Sequence, residues 1–368
     1  MGAPHVTPEL RAWYRGRRVF VTGHTGFKGS WMVAWLRRAG AVVTGYSLAP
    51  EADRPSLFVL AGAERGITSV IGDIRDGAAL AAAMTAAAPE IVMHMAAQSL
   101  VRRSYREPVD TIATNVVGTA MVLEATRAVP SVKAIVVVTS DKCYDNDGSG
   151  APYVESHPMG GHDLYSASKG CAELVSAAYR RSFLAAGGIQ VATARAGNVI
   201  GGGDWSEDRL IPDLLVAAMR GESVELRNPG ATRPWQFVLE PLRGYLMLAR
   251  ALVYEGDAVA EGWNFGPDPR YAVPVRDVAR RMHATWDQVR VTESGATPDL
   301  HEAETLVLDC AKASDRLGWR PVLSLDDALA MTVEWFRGYC ADPAAVPEMV
   351  QQQLQRYEQL VVQKGGVS

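Results

Sequence analysis

Arg18-Val19-Phe20-Val21-Thr22-Gly23-His24-Thr25-Gly26-Phe27-Lys28-Gly29 is the stretch that decides the fold. Its first five residues are apolar and largely β-branched, the composition of a short buried strand. Gly23, Gly26 and Gly29 follow in G-x-x-G-x-x-G spacing. Gly23 permits a tight turn, and the missing Cβ atoms let backbone N–H groups approach a pyrophosphate. Ser30–Arg38 reads as a helix, whose N-terminus adds about half a positive charge at the same place. After Gly40, Ala41–Tyr46 reads as a second strand, which completes a βαβ unit. A Walker A loop is excluded by order, because Lys28-Gly29-Ser30 stands where Gly-Lys-Ser/Thr is required.

The alternation continues outward. Thr68–Ile71, Ile91–Met95, Ala134–Thr139 and Ile189–Ala194 read as strands. Asp76–Ala88, Val109–Val129 and Leu164–Ala186 read as helices. Continuous apolar strands between helices predict an α/β fold with a doubly wound parallel Rossmann sheet covered on both faces. Beyond about residue 200 the chain turns to Trp-, Pro- and Arg-rich segments with shorter alternations, the mark of a smaller α/β C-terminal lobe. The predicted division is 14–200 for the dinucleotide-binding domain and 201–345 for a substrate lobe whose chain passes back to the first. Residues 346–368 read as a Gln-rich tail with a frayed helix.

Composition narrows the function. The 368 residues carry 37 Lys+Arg against 41 Asp+Glu, a formal charge of −4, and 48% are hydrophobic. Such values exclude bulk disorder and argue against a nucleic-acid or membrane-surface partner. No run approaches the roughly 18 apolar residues of a membrane helix. Pro4 and His5 interrupt the place of a signal-peptide core, so a cytoplasmic location is expected. Cys143, Cys171, Cys310 and Cys340 are scattered, as reduced thiols are, and the histidines show no ligand spacing. No metal is expected.

Tyr165 and Lys169 form Y-x-x-x-K, which puts both on one helix face. A nearby ammonium favours phenolate and predicts a Tyr165 pKa lowered toward neutrality, making it a general base for an alcohol proton. Ser140, at the end of the preceding strand, is placed to bond the same hydroxyl. Asp73-Ile74 after the third strand reads equally as an adenine contact or as a helix cap. The second strand ends without the acid that usually reads the ribose hydroxyls, so NAD against NADP stays open at this position. Arg54 reads either as a partner for a 2′-phosphate or as a surface residue.

These residues resemble the extended short-chain dehydrogenases/reductases. More closely, the chain resembles the CDP-glucose 4,6-dehydratase family. The resemblance runs over about 14–338 and rests on six stretches: Val21–Trp31, Gly45–Pro50, Thr139–Tyr144, Tyr165–Glu173, Arg195–Trp205 and Arg233–Gln236. It implies NAD held by Gly23, Thr25, Gly26, Phe27, Lys28 and Gly29, with Asp73, Ile74, Ala96, Ala97 and Gln98, and with Tyr165 and Lys169. It implies catalysis by Ser140, Asp141, Lys142, Tyr165 and Lys169, and substrate contacts from Ser99, Asn198, Arg209 and Arg233.

In related dTDP-glucose dehydratases, an Asp-Glu pair stands where this chain has Asp141-Lys142. There the Asp protonates the leaving hydroxyl and the Glu removes the C5 proton. Lys142 takes the second role only as a neutral amine. A C4-epimerase of the same fold is the rival reading, and the Asp141-Lys142 pair is what separates the two. The resemblance departs at Phe237, where His is expected, and between Asn146 and His157. His157 and His162 read as surface residues. Trp205 and Trp235 read as core or lobe-interface residues. CDP-glucose is the implied substrate, and a homodimer through the helices near 109–129 and 164–186 is implied.

Overall fold

The computed structural model describes residues 6–146, 148–293 and 306–365. Asp147, in the divergent loop, and the end of the tail, 366–368, lie outside the described residues. In chain order the first strands are β1 (Arg18–Thr22), β2 (Val42–Ser47), β3 (Thr68–Ile71), β4 (Ile91–His94), β5 (Ala134–Val138) and β6 (Gln190–Arg195). They are followed by β7 (Val199–Ile200), β8 (Ser223–Leu226), β9 (Thr232–Pro234), β10 (Gln236–Phe237), β11 (Gly262–Asn264), β12 (Ala272–Pro274) and β13 (Arg290–Glu293). Seven of them form one parallel sheet of order β11-β6-β5-β4-β1-β2-β3. The strand order reverses between β1 and β4, where an α/β sheet opens its crevice. The later strands make three two-stranded ladders, β10-β7, β12-β9 and β13-β8.

The helices up to residue 200 are α1 (Val6–Tyr14), α2 (Phe27–Arg38), α3 (Leu57–Leu60), α4 (Gly77–Ala87), α5 (Val101–Arg106), α6 (Pro108–Ile112), α7 (Gly118–Arg127) and α8 (Leu164–Tyr179). Then come α9 (Leu210–Arg220), α10 (Leu239–Glu255), α11 (Val275–Thr285), α12 (Ala311–Leu317), α13 (Leu325–Ala341) and α14 (Val346–Gly365). Two helices expected as continuous are interrupted by π-turns. Ala113–Val117 joins α6 to α7, and Arg180–Leu184 follows α8. Helix α2 begins at Phe27 rather than Ser30, with Gly26 as its N-cap. Helix propensity discounts the glycine there, but the turn is set by backbone contacts.

Strand residues alternate between two cores. Val19, Val21, Met93 and Val136 face α2 and α10, with Trp31, Leu242 and Leu246. Phe20, Val92, Ile135 and Val137 face α4, α7 and α8, with Leu80, Met84 and Val122. Each such side chain, fully buried, contributes roughly 1.5–3 kcal/mol. Strand β11 comes from beyond residue 201 and closes one edge of the main sheet beside β6.

The frayed tail is corrected. Helix α14 is docked along its length, with Val346, Val350, Leu354, Tyr357 and Val361 buried. Tyr357 Oη donates to the buried Glu240 Oε2 at 2.6 Å. Glu358 accepts from Trp35 Nε1 at 3.0 Å and from Arg38 Nε at 3.1 Å, both on α2. The glutamines mask an apolar stripe that needs a partner to be recognised. Leu354→Ala is therefore expected to lower stability by roughly 2–5 kcal/mol, read as a lower urea midpoint. A change inside about 0.5 kcal/mol, the surface range, would mean that the tail is not docked.

Candidate active site

The site is a cleft of about 1010 Å³ along the carboxyl ends of β1, β4 and β5, walled by the second lobe. That is the upper end of the roughly 300–1,000 Å³ range for single-ligand sites, and it leaves room for a dinucleotide beside a second ligand. At one end lies the glycine loop. Gly23 has φ +72° and its N–H donates to Tyr46 O at 2.9 Å. A Cβ there would stand 2.7 Å from Ala96 N, and one on Gly29 would stand 2.0 Å from Gly23 O. No side chain caps α2, so its first N–H groups face the cleft beside Gly26 and Phe27. This bare, Cβ-free cradle fits the diphosphate of a dinucleotide.

The other cofactor-side residues are partly engaged already. Thr25 Oγ1 donates to Leu48 O at 2.9 Å, which fixes the end of β2. Asp73 accepts from Arg75, which holds its carboxyl below the usual range. The helix cap is Asp76, which accepts from Ala79 N at 3.0 Å. Asp73 thereby stands on the cleft wall rather than in a cap. Ile74 has its side chain in the core, against Gly118. Ala96 and Ala97 line the cleft. Gln98 lines it too, but its amide donates to Thr111 Oγ1 at 2.9 Å and Leu100 O at 3.1 Å. Arg54 bonds Glu51 and Glu207 at 2.6 and 2.8 Å, which ties the loop after β2 to the second lobe.

At the centre stand Ser140, Asp141, Tyr165 and Lys169, all buried and all on the cleft wall. Ser140 Oγ donates to Asp141 Oδ1 at 2.9 Å. Asp141 opens a 3₁₀ turn over Asp141–Cys143, and Gly197 lies so close that a Cβ on it would meet Asp141 Oδ2 at 2.2 Å. Lys142 is half-buried and lines the cleft. Asp163 caps α8 by accepting from Ser166 N at 2.9 Å, which sets the turn that carries Tyr165.

The expected lowering of Tyr165 is not what the chain produces. Burial pushes its phenol up to about 12, although the hydrogen bond to Ser140 and the charge of Arg209 oppose this. Lys169 Nζ donates to Val138 O at 3.3 Å rather than to the phenol. Burial brings Lys169 down to about 8. Lys28, also facing the cleft, is brought down to about 7 by burial and then by Arg209 and Lys169.

The second lobe supplies the far wall. Arg209 is anchored to Asp204 at 3.0 Å and to Val199 O at 3.2 Å. Arg233 and Asn198 line the same cleft, and Ser99 is exposed at its rim. Trp235 is buried and also lines it. Trp205 packs against Trp335, Phe336 and Tyr339. Phe237 is fully buried and packs its ring on Trp31, 6.3 Å between centroids. That departure from the resemblance therefore falls in the core. His162 is exposed, and His157 accepts from Val154 N at 2.9 Å.

Sequence reasoning missed the residues behind the wall. Thr22 Oγ1 accepts from Met95 N and Ala96 N at 3.0 and 3.1 Å, and pairs with the buried His94 at 2.8 Å. Asn115 binds Gln98 N and Ser168 Oγ. The buried Glu173–Arg195 pair lies beneath the centre. The available signal was a glutamate one turn beyond Lys169 on the same helix face.

Comparison with known proteins agrees with this geometry. The model of the GDP-mannose 4,6 dehydratase family matches residues 20–332. CDP-glucose 4,6-dehydratase of Salmonella typhimurium is 48% identical over 333 residues, 89% of this chain and 92% of that protein. The structure of DesIV, a dTDP-glucose 4,6-dehydratase of Streptomyces venezuelae with NAD bound, superposes with a TM-score of 0.73 at 26% identity, covering 89% of this chain and 99% of that one. An epimerase of Methanothermobacter thermautotrophicus shares the fold, with a TM-score of 0.79 at 24% identity over 94% of this chain and 97% of that one. With most of its length matched, the chain belongs to the GDP-mannose 4,6-dehydratase family of extended short-chain dehydrogenases/reductases.

Proposed function

We propose that the protein is a CDP-glucose 4,6-dehydratase that converts CDP-D-glucose to CDP-4-keto-6-deoxy-D-glucose and water. The observation that carries this reading is Asp141, hydrogen-bonded to Ser140, in the same cleft as Tyr165 and Lys169. An epimerase needs only the second pair. NAD, held by the glycine loop and the Ala96-Ala97 wall, supplies the hydride acceptor at C4 and the donor at C6. Tyr165 takes the C4 hydroxyl proton as phenolate, the form that Ser140 and Arg209 favour against burial, with Ser140 orienting the hydroxyl. The C4 ketone acidifies C5–H. Lys142 is the base for that proton, and Asp141 is the acid toward the C6 oxygen as water leaves. Hydride return to C6 and reprotonation at C5 by Lys142 give the product. Exchange with solvent then takes the proton held by Tyr165 and restores the one given up by Asp141, and no external reductant is consumed. Arg233 and Arg209 bind the diphosphate, for which guanidinium forks are suited.

The division at about residue 200, into a Rossmann domain and a substrate lobe, belongs to the same proposal. So does a cytoplasmic location, supported by the finding that no described helix is long and apolar enough to cross a membrane. We also propose a homodimer. Val109 is 80% exposed, Leu174 60% and Phe183 47%, on and beside α6 and α8. Apolar side chains left open on neighbouring helices mark an interaction face.

Incubation with CDP-glucose and NAD is expected to give a product one water lighter, with a C6 methyl in the NMR spectrum. Isomerisation without loss of mass would make the protein an epimerase, and water loss from another nucleotide sugar would move the substrate. Asp141→Asn is expected to retain C4 oxidation, read as NADH absorbance, while kcat for water loss falls roughly 10²–10⁴-fold.

Lys169 is a cation below its pKa of about 8 and neutral above it. The rate is therefore expected to decline as pH rises through about 8, and Lys169→Arg to lack that limb. Leu174→Glu is expected to give monomers by light scattering, with the urea midpoint nearly unchanged. A dimer of wild-type affinity would remove α8 from the interface.

A further inference from the structure

The chemistry proposed above uses Tyr165 and Lys169 and leaves Glu173 without a role, although it follows them at i+4 and i+8 on one face of α8. Glu173 and Arg195 are each 5% exposed. Glu173 Oε1 accepts from Thr139 Oγ1 and from Arg195 Nε at 3.0 Å. Oε2 accepts from Thr193 Oγ1 at 2.6 Å and from Arg195 Nη2 at 2.8 Å. The remaining nitrogen, Arg195 Nη1, donates to Tyr144 Oη at 2.7 Å and to Glu155 O at 3.0 Å. Tyr144 Oη in turn donates to Asn264 Oδ1 at 2.7 Å, on β11.

The placement of these bonds matters. Thr139 immediately precedes Ser140, and Tyr144 immediately follows the turn that carries Asp141 and Lys142. One ion pair thus grips the 140–143 segment at both ends, while its carboxylate grows from the helix that carries Tyr165 and Lys169. A buried ion pair is seldom the most stable filling of such a space, since apolar residues often do as well. What it offers is direction, because each bond fixes an angle as well as a distance.

We propose that Glu173 and Arg195, with Tyr144 as outer link, are positioning residues that hold the acid–base segment 140–142 in register with Tyr165 and Lys169. This rests on the functional reading above. The reaction needs two proton-transfer sets to act on adjacent carbons of one sugar, and a misplacement of about 1 Å costs on the order of 100-fold in rate.

Glu173→Gln alone would strand the Arg195 charge. The test therefore uses Glu173→Gln/Arg195→Gln, which removes both charges, and Tyr144→Phe, which removes one hydroxyl and keeps the ring. In variants with a wild-type-like thermal transition, kcat for CDP-glucose is expected to fall about 10- to 100-fold, with KM within about threefold. Unchanged kcat in a folded variant would overturn the proposal and leave the pair a structural filler. If the double variant does not fold, Tyr144→Phe decides alone.

A readout free of substrate separates this inference from the functional reading. The titratable groups around Lys169 are Glu173 and Cys143, which raise it, and Lys28 and His94, which its charge lowers. Glu173 supports the ammonium, so NAD affinity measured against pH is expected to have its midpoint at lower pH in the double variant, or in Glu173→Gln if only that folds. An unchanged midpoint would overturn the part of the inference that concerns Lys169, as unchanged kcat overturns the whole. Failure of the wild-type protein to release water from CDP-glucose would instead overturn the functional reading, and the NAD midpoint would then decide this one.

Discussion

The contact between Gly23 and Ala96 is the constraint on which the rest of the structure depends. It lies where β1 and β4 run side by side and the order of the sheet reverses. The two backbones come so close that a Cβ on Gly23 would stand 2.7 Å from Ala96 N. Thr22 Oγ1 holds the same junction by accepting from Met95 N and Ala96 N. Because nothing protrudes there, the crevice between the two crossovers is floored by backbone. A diphosphate meets N–H groups and a helix terminus rather than side chains.

The second half of the site hangs from this floor by neighbouring strands. Parallel strands all end on one edge, so the ends of β1, β4 and β5 bring the glycine loop, the Ala96-Ala97 wall and Ser140-Asp141 to one cleft. Helix α8 then has to deliver Tyr165 and Lys169 to the same place. Its angle is set by the Asp163 cap at one end and by Glu173 reaching Thr139, Thr193 and Arg195 further along. The proposed catalytic groups are thus fixed by two independent devices, a glycine contact under the Gly23–Gly29 loop and a buried charge pair under the 141–143 turn.

How much of this was legible in the sequence follows from what kind of force acts at each point. The parallel sheet could be read because its strands are local, apolar runs bounded by turn residues, and the strands expected at 68–71, 91–95 and 134–139 appear within a residue of those bounds. The π-turns at 113–117 and 180–184 could not be read, because they alter hydrogen-bond register without changing apolar periodicity. The docking of helix α14 is not legible, because its stripe of Val346, Val350, Leu354, Tyr357 and Val361 becomes a signal only once α1, α2 and α13 stand ready to cover it. The Tyr165–Lys169 spacing predicts a shared helix face, and both residues line the cleft. It misjudged the phenol, because spacing reports proximity and says nothing of burial, and burial is the larger effect there.

Charge is distributed unevenly within the cleft of this chain of net charge −4. Its described lining as a whole is balanced, nine Lys and Arg against nine Asp and Glu, but one local group sets Lys28, Lys169 and Arg209 against Asp141 and Asp204. Burial brings both lysines down toward neutral pH, and Arg209 and Lys169 lower Lys28 further. A cluster of this kind is costly while its charges face only each other. An incoming diphosphate relieves that repulsion, so part of the binding energy comes from the site's own unfavourable field. The field also differs along the cleft. The guanidiniums of the second lobe keep their charge at any working pH, whereas the two buried amines lie near their midpoints. The first set therefore holds a constant charge, while the charge of the second varies with pH.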